Sequence, residues 1–172
     1  RLAEVVADFG ALGSVEVPRV TTAFCALGTT IAKAGSEAAF RAVDVDAVLA
    51  FARLARRAGA TRFLLVSALG ADPRSRVFYN RVKGEAEEAV KGLGFEGVAL
   101  FRPSLLVGER SESRPAERAA IVATSLVSWA MAGPLARWKP VPVASVATPM
   151  LALAGGAPSG LRVVENEEIH GL

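Results

Sequence analysis

The sequence predicts an α/β fold, a doubly wound parallel sheet with helices on both faces. Three observations carry this expectation. Short apolar runs alternate with longer helical stretches, the pattern of strand–helix–strand units. The 172 residues suit a single domain with a sizeable core. A hydrophobic fraction of 52% beside 22% charged residues, with no internal repeat and no low-complexity linker, describes a globular chain.

Taken in order, the first apolar run, Glu4-Val5-Val6-Ala7-Asp8-Phe9, reads as a strand ending at Gly10. The second, Thr21 to Leu27, runs into Gly28-Thr29-Thr30. A helix is expected from about Ser36, a capping residue with Glu37 in the first turn, to Arg57, with Gly59 suited to the C′ position. Its apolar residues Phe40, Val43, Ala47, Ala50, Phe51 and Leu54 recur at helical spacing. A strand over Arg62 to Ser67 comes next, then a loop holding Gly70 and Pro73, then a helix from about Val77 to Gly92. Glu87 and Lys91 on that helix read as a surface pair four residues apart. The strand Val98 to Phe101 should fray at Pro103, which has no N–H to donate. Beyond it come a polar segment (Glu109 to Arg118), an apolar stretch (Ile121 to Ala136) and an extended piece (Lys139 to Val143). A helix over about Ala144 to Ala154 and a last strand, Gly160 to Val164, complete the chain. One domain spanning 1–172 is expected, with a small substrate-side segment at about 109–143.

Composition removes several classes of function. Net charge is only +3, and the arginines are scattered without a basic block, which argues against nucleic-acid binding. One cysteine excludes an internal disulfide framework and one histidine leaves no metal constellation. The stretch Ile121 to Ala136 is uncharged but shorter than the roughly 20 residues a membrane span needs. No signal peptide stands at the start. With its single thiol suited to a reducing compartment, a cytoplasmic location is expected, with homodimer formation left open.

The only tyrosine, Tyr79, precedes Lys83 by one helical turn, and Ser67 closes the apolar run Phe63-Leu64-Leu65-Val66. On a helix the phenol and the ammonium share a face. A phenol, a nearby cation and a hydroxyl can together move a proton on or off a carbonyl or alcohol oxygen. Three run ends carry suggestive groups: Cys25-Ala26-Leu27-Gly28-Thr29, Ser67-Ala68-Leu69-Gly70 and Arg102-Pro103-Ser104. Open α/β sheets bind ligands at the carboxyl ends of their strands. Asp44 can be read as a helix-face carboxylate, Cys25 as a buried strand residue, Trp129 and Trp138 as packing residues, and Arg114 as a solvated loop residue.

Taken together, these motifs resemble the short-chain dehydrogenase/reductase superfamily, and within it the atypical subgroup related to the human Tat-interacting protein and its bacterial homologues. The residues that carry the resemblance are Cys25-Ala26-Leu27-Gly28-Thr29-Thr30, Phe40-Arg41-Ala42-Val43-Asp44, Val66-Ser67-Ala68-Leu69-Gly70-Ala71-Asp72, Phe78-Tyr79-Asn80-Arg81-Val82-Lys83-Gly84-Glu85, Phe101-Arg102-Pro103-Ser104-Leu105-Leu106 and Glu112-Ser113-Arg114-Pro115. The resemblance implies a Rossmann-type fold, an NADP cofactor (NAD being the alternative) and a catalytic trio of Ser67, Tyr79 and Lys83. It implies that Lys83 bonds the nicotinamide ribose and favours the Tyr79 phenolate, while Ser67 positions the substrate oxygen. Asp8 and Phe9 would contact adenine. Cys25, Ala26, Leu27, Gly28, Thr29 and Val66 would line the cofactor, and Arg102, Pro103, Ser104 and Leu105 would border the nicotinamide. Asp44 falls where many relatives carry an asparagine that holds a proton-relay water.

The family's opening strand, glycine-rich turn and helix have no counterpart in this sequence, nor do the residues that choose between NAD and NADP. Two strands normally lie between the third and the fourth, so their omission predicts a gap of roughly 14 Å between Val5–Phe9 and Ala23–Leu27. A preceding segment, a second chain or a local rearrangement would each resolve it, and a preceding segment is the favoured expectation. Functionally, the resemblance implies an oxidoreductase acting on an unidentified small carbonyl or alcohol. A nucleotide-sugar epimerase or dehydratase and a non-catalytic dinucleotide sensor are the alternatives.

Overall fold

A computed structural model of the chain describes residues 4–107, 137–156 and 160–171. Its centre is a parallel sheet of four strands: β1 (Thr22–Cys25), β2 (Arg62–Val66), β3 (Gly97–Arg102) and β6 (Gly160–Glu165), lying in that order. The register aligns Cys25 with Leu65, Val66 with Phe101, and Arg102 with Glu165. A short parallel pair, β4 (Leu106–Val107) with β5 (Val141–Pro142), stands beside it.

Strand side chains alternate between faces, and the two cores obey that alternation. Phe63, Leu65, Val98 and Leu100 pack with Val48, Ala52 and Ala55 of α3 (Val48–Arg57) and Val90 of α4 (Phe78–Lys91). Leu64, Ala99, Phe101 and Val164 pack with Val146 and Met150 of α5 (Val143–Gly155) and Ile169 of α6 (Asn166–Gly171). Helices therefore cover both faces, the doubly wound arrangement expected from the alternating runs.

The helix beginning after Ser36 is where local chemistry and tertiary structure diverge. Ser36 caps it as expected, its hydroxyl accepting from the Ala39 N–H at 3.1 Å. Gly59 adopts a left-handed φ of 93° just past the other end. The expected rod is not uniform. A short helix α1 (Ile31–Ala34) precedes α2 (Glu37–Arg41), a π-helical turn spans Ala42–Ala47, and α3 comes after it. A π turn inserts an extra residue into the helical repeat and rotates the side chains beyond it, and such turns recur at functional sites. Here it buries Asp44, which is 1% exposed.

Three expectations change. The run Val5–Phe9 is not a strand: β1 is the sheet's edge, Val6 is 93% exposed, and Asp8 instead caps a 3₁₀ turn over Phe9–Ser14 through the Gly10 N–H. A strand needs a partner for its N–H and C=O groups, and none lies beside this run among the described residues, so the expected gap inside the sheet does not arise. The 3₁₀ turn is held by Leu12, buried, whose carbonyl accepts from Arg57 Nη2 at 2.7 Å. Glu87 is not a surface residue paired with Lys91. It is buried against Arg102, and Lys91 reaches Glu88 instead. Asp44 is not simply a helix-face carboxylate, since it is buried in an ion pair with Lys83. The polar segment Glu109 to Arg118, the stretch Ile121 to Ala136, Arg114 and Trp129 lie outside the described residues, as does most of the substrate-side segment 109–143.

Candidate functional site

The carboxyl ends of β1, β2 and β3 lie side by side, and several of the residues singled out from the sequence stand there, whereas Asp8 and Phe9 lie at the 3₁₀ turn before β1. Cys25 ends β1, with Ala26 to Thr29 in the loop beyond it. Val66 ends β2, and Ser67 comes next, its N–H bonded to the Phe101 carbonyl at 2.7 Å. Arg102 ends β3, and the carbonyl of the adjoining Pro103 accepts from the Leu69 N–H at 2.9 Å. The two loops after β2 and β3 are thus laced together by backbone bonds.

Helix α4 brings Tyr79 and Lys83 to this edge. Its position is set by an unusually close approach: Asp72 N–H donates to the Asn80 carbonyl at 3.1 Å. A Cβ on Gly84 would lie 2.3 Å from Asp72 carbonyl carbon and Pro73 nitrogen. Only a residue without a side chain permits that contact. Tyr79 is half-buried, tilted against Phe40 with ring centroids 5.7 Å apart. Lys83 Nζ lies 6.0 Å from the Tyr79 ring centroid and 2.6 Å from Asp44 Oδ1. The other Asp44 oxygen, Oδ2, accepts from the Thr29 N–H at 2.9 Å. The Asp44–Lys83 pair is almost wholly buried, at 0% and 9% side-chain exposure.

Buried polar atoms are normally satisfied. Among the described residues three side-chain oxygens are buried without a hydrogen bond: Asp44 Oδ1, Ser67 Oγ and Glu85 Oε2. Two of them sit in ion-pair contact, Asp44 with Lys83 and Glu85 with Arg41, each at 2.6 Å. Ser67 is the one left over. Its hydroxyl is buried at a strand end, beside the loop in which an added Cβ at Gly28 would come within 3.3 Å of both Asp44 Oδ1 and Lys83 Nζ.

Other sequence-selected residues are employed differently. The Arg102 guanidinium is engaged by carboxylates: Nε and Nη2 donate to Glu87 at 3.0 and 2.6 Å, and Nη1 to Glu165 at 3.0 Å. Its hydrogen bonds to Glu87 are the main cause that holds its pKa above the ordinary value. Ser104 Oγ donates to the Lys139 carbonyl at 2.6 Å, and the Ser104 N–H donates to Asn166 Oδ1 at 2.7 Å. Asn166, fully buried, was not singled out from the sequence. It also donates to the Lys139 carbonyl, tying three separated segments together. Leu105 is 60% exposed and Phe9 40%. Trp138 is 57% exposed, which removes the packing role expected for it.

Cys25 is buried at 1% exposure, and desolvation pushes its thiol above the ordinary value, with the Leu27 backbone and Lys83 opposing. Reactive cysteines are exposed thiolates, so native Cys25 should be alkylated by iodoacetamide at least about 100-fold more slowly than the urea-unfolded chain. Stability is linked to the same burial. The folded state keeps the proton while the unfolded thiol ionises first, so this contribution is intact below the unfolded value and is lost as pH rises from there through the folded one. Stability of the wild type minus that of Cys25→Ala, measured by denaturation from pH 7 upward, should fall. A flat difference would contradict the buried thiol.

With this geometry in hand, comparison places the chain. No family model matches it. It is similar to the mitochondrial protein FMP52 of Coccidioides immitis, 37% identical over 154 residues, covering 85% of this chain and 63% of that protein. The mitochondrial fmp52 of Emericella nidulans is 50% identical over 95 residues, covering 55% and 41%. The rat protein HTATIP2 is 48% identical over 94 residues, covering 55% and 38%. The chain therefore spans less than two thirds of the length of each of these relatives. Among solved structures, RMD from Pseudomonas aeruginosa complexed with NADPH superposes with a TM-score of 0.65 at 14% identity, covering 92% of this chain and 65% of that one. MoeE5 in complex with UDP-glucuronic acid and NAD gives 0.60 at 18%, covering 89% and 60%. At such identities the superpositions establish the fold alone.

The fold is that of a Rossmann-type domain, a parallel sheet with helices on both faces. In sequence the chain is a relative of HTATIP2 and the fungal FMP52 proteins, the group its motifs resemble.

One expectation is overturned. The cytoplasmic location does not stand, because the fungal relatives are named as mitochondrial proteins. A lone buried thiol suits any reducing compartment, so composition held no information that separates them. Among the described residues no helix is long and apolar enough to cross a membrane.

Proposed function

We propose that this chain is the catalytic portion of an NAD(P)-dependent oxidoreductase that interconverts a small carbonyl and its alcohol, with NADP as the preferred cofactor and NAD as the alternative. Ser67 carries the reading. A buried hydroxyl without a protein partner, at the carboxyl end of a central strand, is a group built to bond an incoming oxygen. Gly28 and Thr29 in the loop beyond β1 would line the cofactor, and Pro103 beyond β3 would border its nicotinamide.

When bound, the nicotinamide supplies the hydride. In the reducing direction Ser67 Oγ–H would bond the oxyanion that develops on the substrate, and the Tyr79 hydroxyl would deliver the proton that completes the alcohol. Lys83 Nζ, 6.0 Å from the Tyr79 ring centroid, stands where it would steady the negative charge that develops as the proton is passed on. Oxidation runs the same steps backwards.

The test is loss of NADPH or NADH absorbance with the full-length protein across a panel of aldehydes, ketones and nucleotide sugars. Turnover with at least one member is expected, and Tyr79→Phe should lower kcat by about 10²–10⁴-fold. Dinucleotide binding without consumption across the panel would sink this reading and favour a non-catalytic sensor. Turnover unaffected by Tyr79→Phe would remove Tyr79 from the mechanism.

A further inference from the structure

In the oxidoreductase reading, Lys83 serves both the cofactor ribose and the Tyr79 phenol, and both duties require its ammonium to sit at one place. A lysine has four rotatable side-chain bonds and a strongly hydrated head, so burial does not fix the ammonium. Something must hold it. Among the described residues the candidate is the Asp44 carboxylate, fully buried, with Oδ1 at 2.6 Å from Nζ and Oδ2 bonded to the Thr29 N–H.

Three features of this carboxylate set it apart from an ordinary helix residue. It lies on the π turn Ala42–Ala47, a backbone irregularity that costs regular helical hydrogen bonding and recurs where a side chain must be re-aimed. It clamps two elements at once, the β1 loop through Thr29 and α4 through Lys83. The loop residue above it has no side chain, and a Cβ there would crowd both partners at 3.3 Å, tighter than most real contacts.

We infer that Asp44 is the positioning residue for Lys83: an ion pair built across the π turn, the Gly28–Thr29 loop and α4 fixes the ammonium beside Tyr79. The direct pair needs no bridging water between carboxylate and lysine. It also gives Gly28 a second duty besides admitting a ligand, since the pair closes only beneath a residue lacking Cβ. Asp44 touches neither the phenol nor, in this reading, the substrate. It acts through Lys83.

The experiment compares Asp44→Asn and Gly28→Ala with the full-length wild type, each first checked for a cooperative thermal transition. Lysines are acylated with acetic anhydride, and modification at Lys83 relative to exposed Lys33 is measured by peptide mass spectrometry. Asparagine keeps an acceptor for the Thr29 N–H but releases the ammonium. The Lys83:Lys33 ratio should therefore rise at least fivefold in Asp44→Asn. It should rise at least twofold in Gly28→Ala, which decides the matter if Asp44→Asn fails to fold. An unchanged ratio in the folded variants overturns the inference.

Where turnover is measurable, Asp44→Asn should lower kcat at least tenfold while the dinucleotide KM stays within threefold, because the loop remains tied and only the ammonium's direction is lost. Equal kcat would overturn the positioning role, and a loss confined to KM would assign Asp44 to loop placement instead. If no substrate is ever turned over, the oxidoreductase reading fails, yet the labelling ratio still decides whether Asp44 holds Lys83.

Discussion

Gly84→Ala is expected to destabilise the fold by more than about 3 kcal/mol, above the usual range for one added methyl in a packed interior. The reason is what the methyl meets. Its carbon would lie 2.3 Å from two backbone atoms of Asp72 and Pro73, and backbone cannot swing aside as the end of a flexible side chain can. Either α4 moves off the loop or the loop moves off α4, and both options break the Asp72 N–H bond to the Asn80 carbonyl. Since Lys83 is the preceding residue, the same shift carries the candidate site with it. Urea denaturation should show a midpoint lowered by more than about 1 M. Gly92→Ala on the same helix is the control. There a Cβ meets only carbonyl oxygens at 3.5 and 3.8 Å, ordinary contacts, and φ is −72°. Its effect should stay within about 0.5 kcal/mol. A Gly84→Ala variant as stable as Gly92→Ala would mean that helix propensity, which favours alanine, outweighs the close approach.

Arg102→Met is the second large effect, at about 3 kcal/mol. Glu87 has 2% side-chain exposure and draws two hydrogen bonds from the guanidinium, whereas Glu165 on the third nitrogen is 41% exposed. Removing the cation leaves Glu87 as a buried charge without its partner, and breaking such a pair costs about 3–5 kcal/mol. The lower end applies because Arg102 itself is 21% exposed and partly screened. The double variant Glu87→Met with Arg102→Met should recover most of the loss, since well-packed apolar replacements of a buried pair are often neutral. A single-variant cost under about 1 kcal/mol, or a double variant no better than the single, would show that the pair is not the buried strut described.

Both variants probe contacts that lie at the limit of what can be read along the chain. Periodicity locates β2, α4, β3, α5 and β6 within a residue or two, because alternation and helical spacing record which face is apolar. Ser36 and Gly59 are legible as helix punctuation because capping is local chemistry between near neighbours. Gly84 carries a signal of its own: glycine inside a helix costs about 1 kcal/mol relative to alanine, which asks for a packing reason. The run Val5–Phe9 fails as a strand because composition reports strand propensity but not whether a partner strand lies beside it.

The candidate trio Ser67, Tyr79 and Lys83 and the order of the main strands and helices could be read from the sequence alone, since both rest on residue type and on spacing within one turn or strand. Which carboxylate faces which cation did not. Asp44 meets Lys83 across 39 positions, and Glu87 meets Arg102 across 15, only after strands and helices have packed. The π turn that aims Asp44 inward leaves the apolar pattern of its helix nearly unchanged. Burial encodes hydrophobicity in the chain, whereas pairing of charges depends on distances that exist only once the sheet has been assembled.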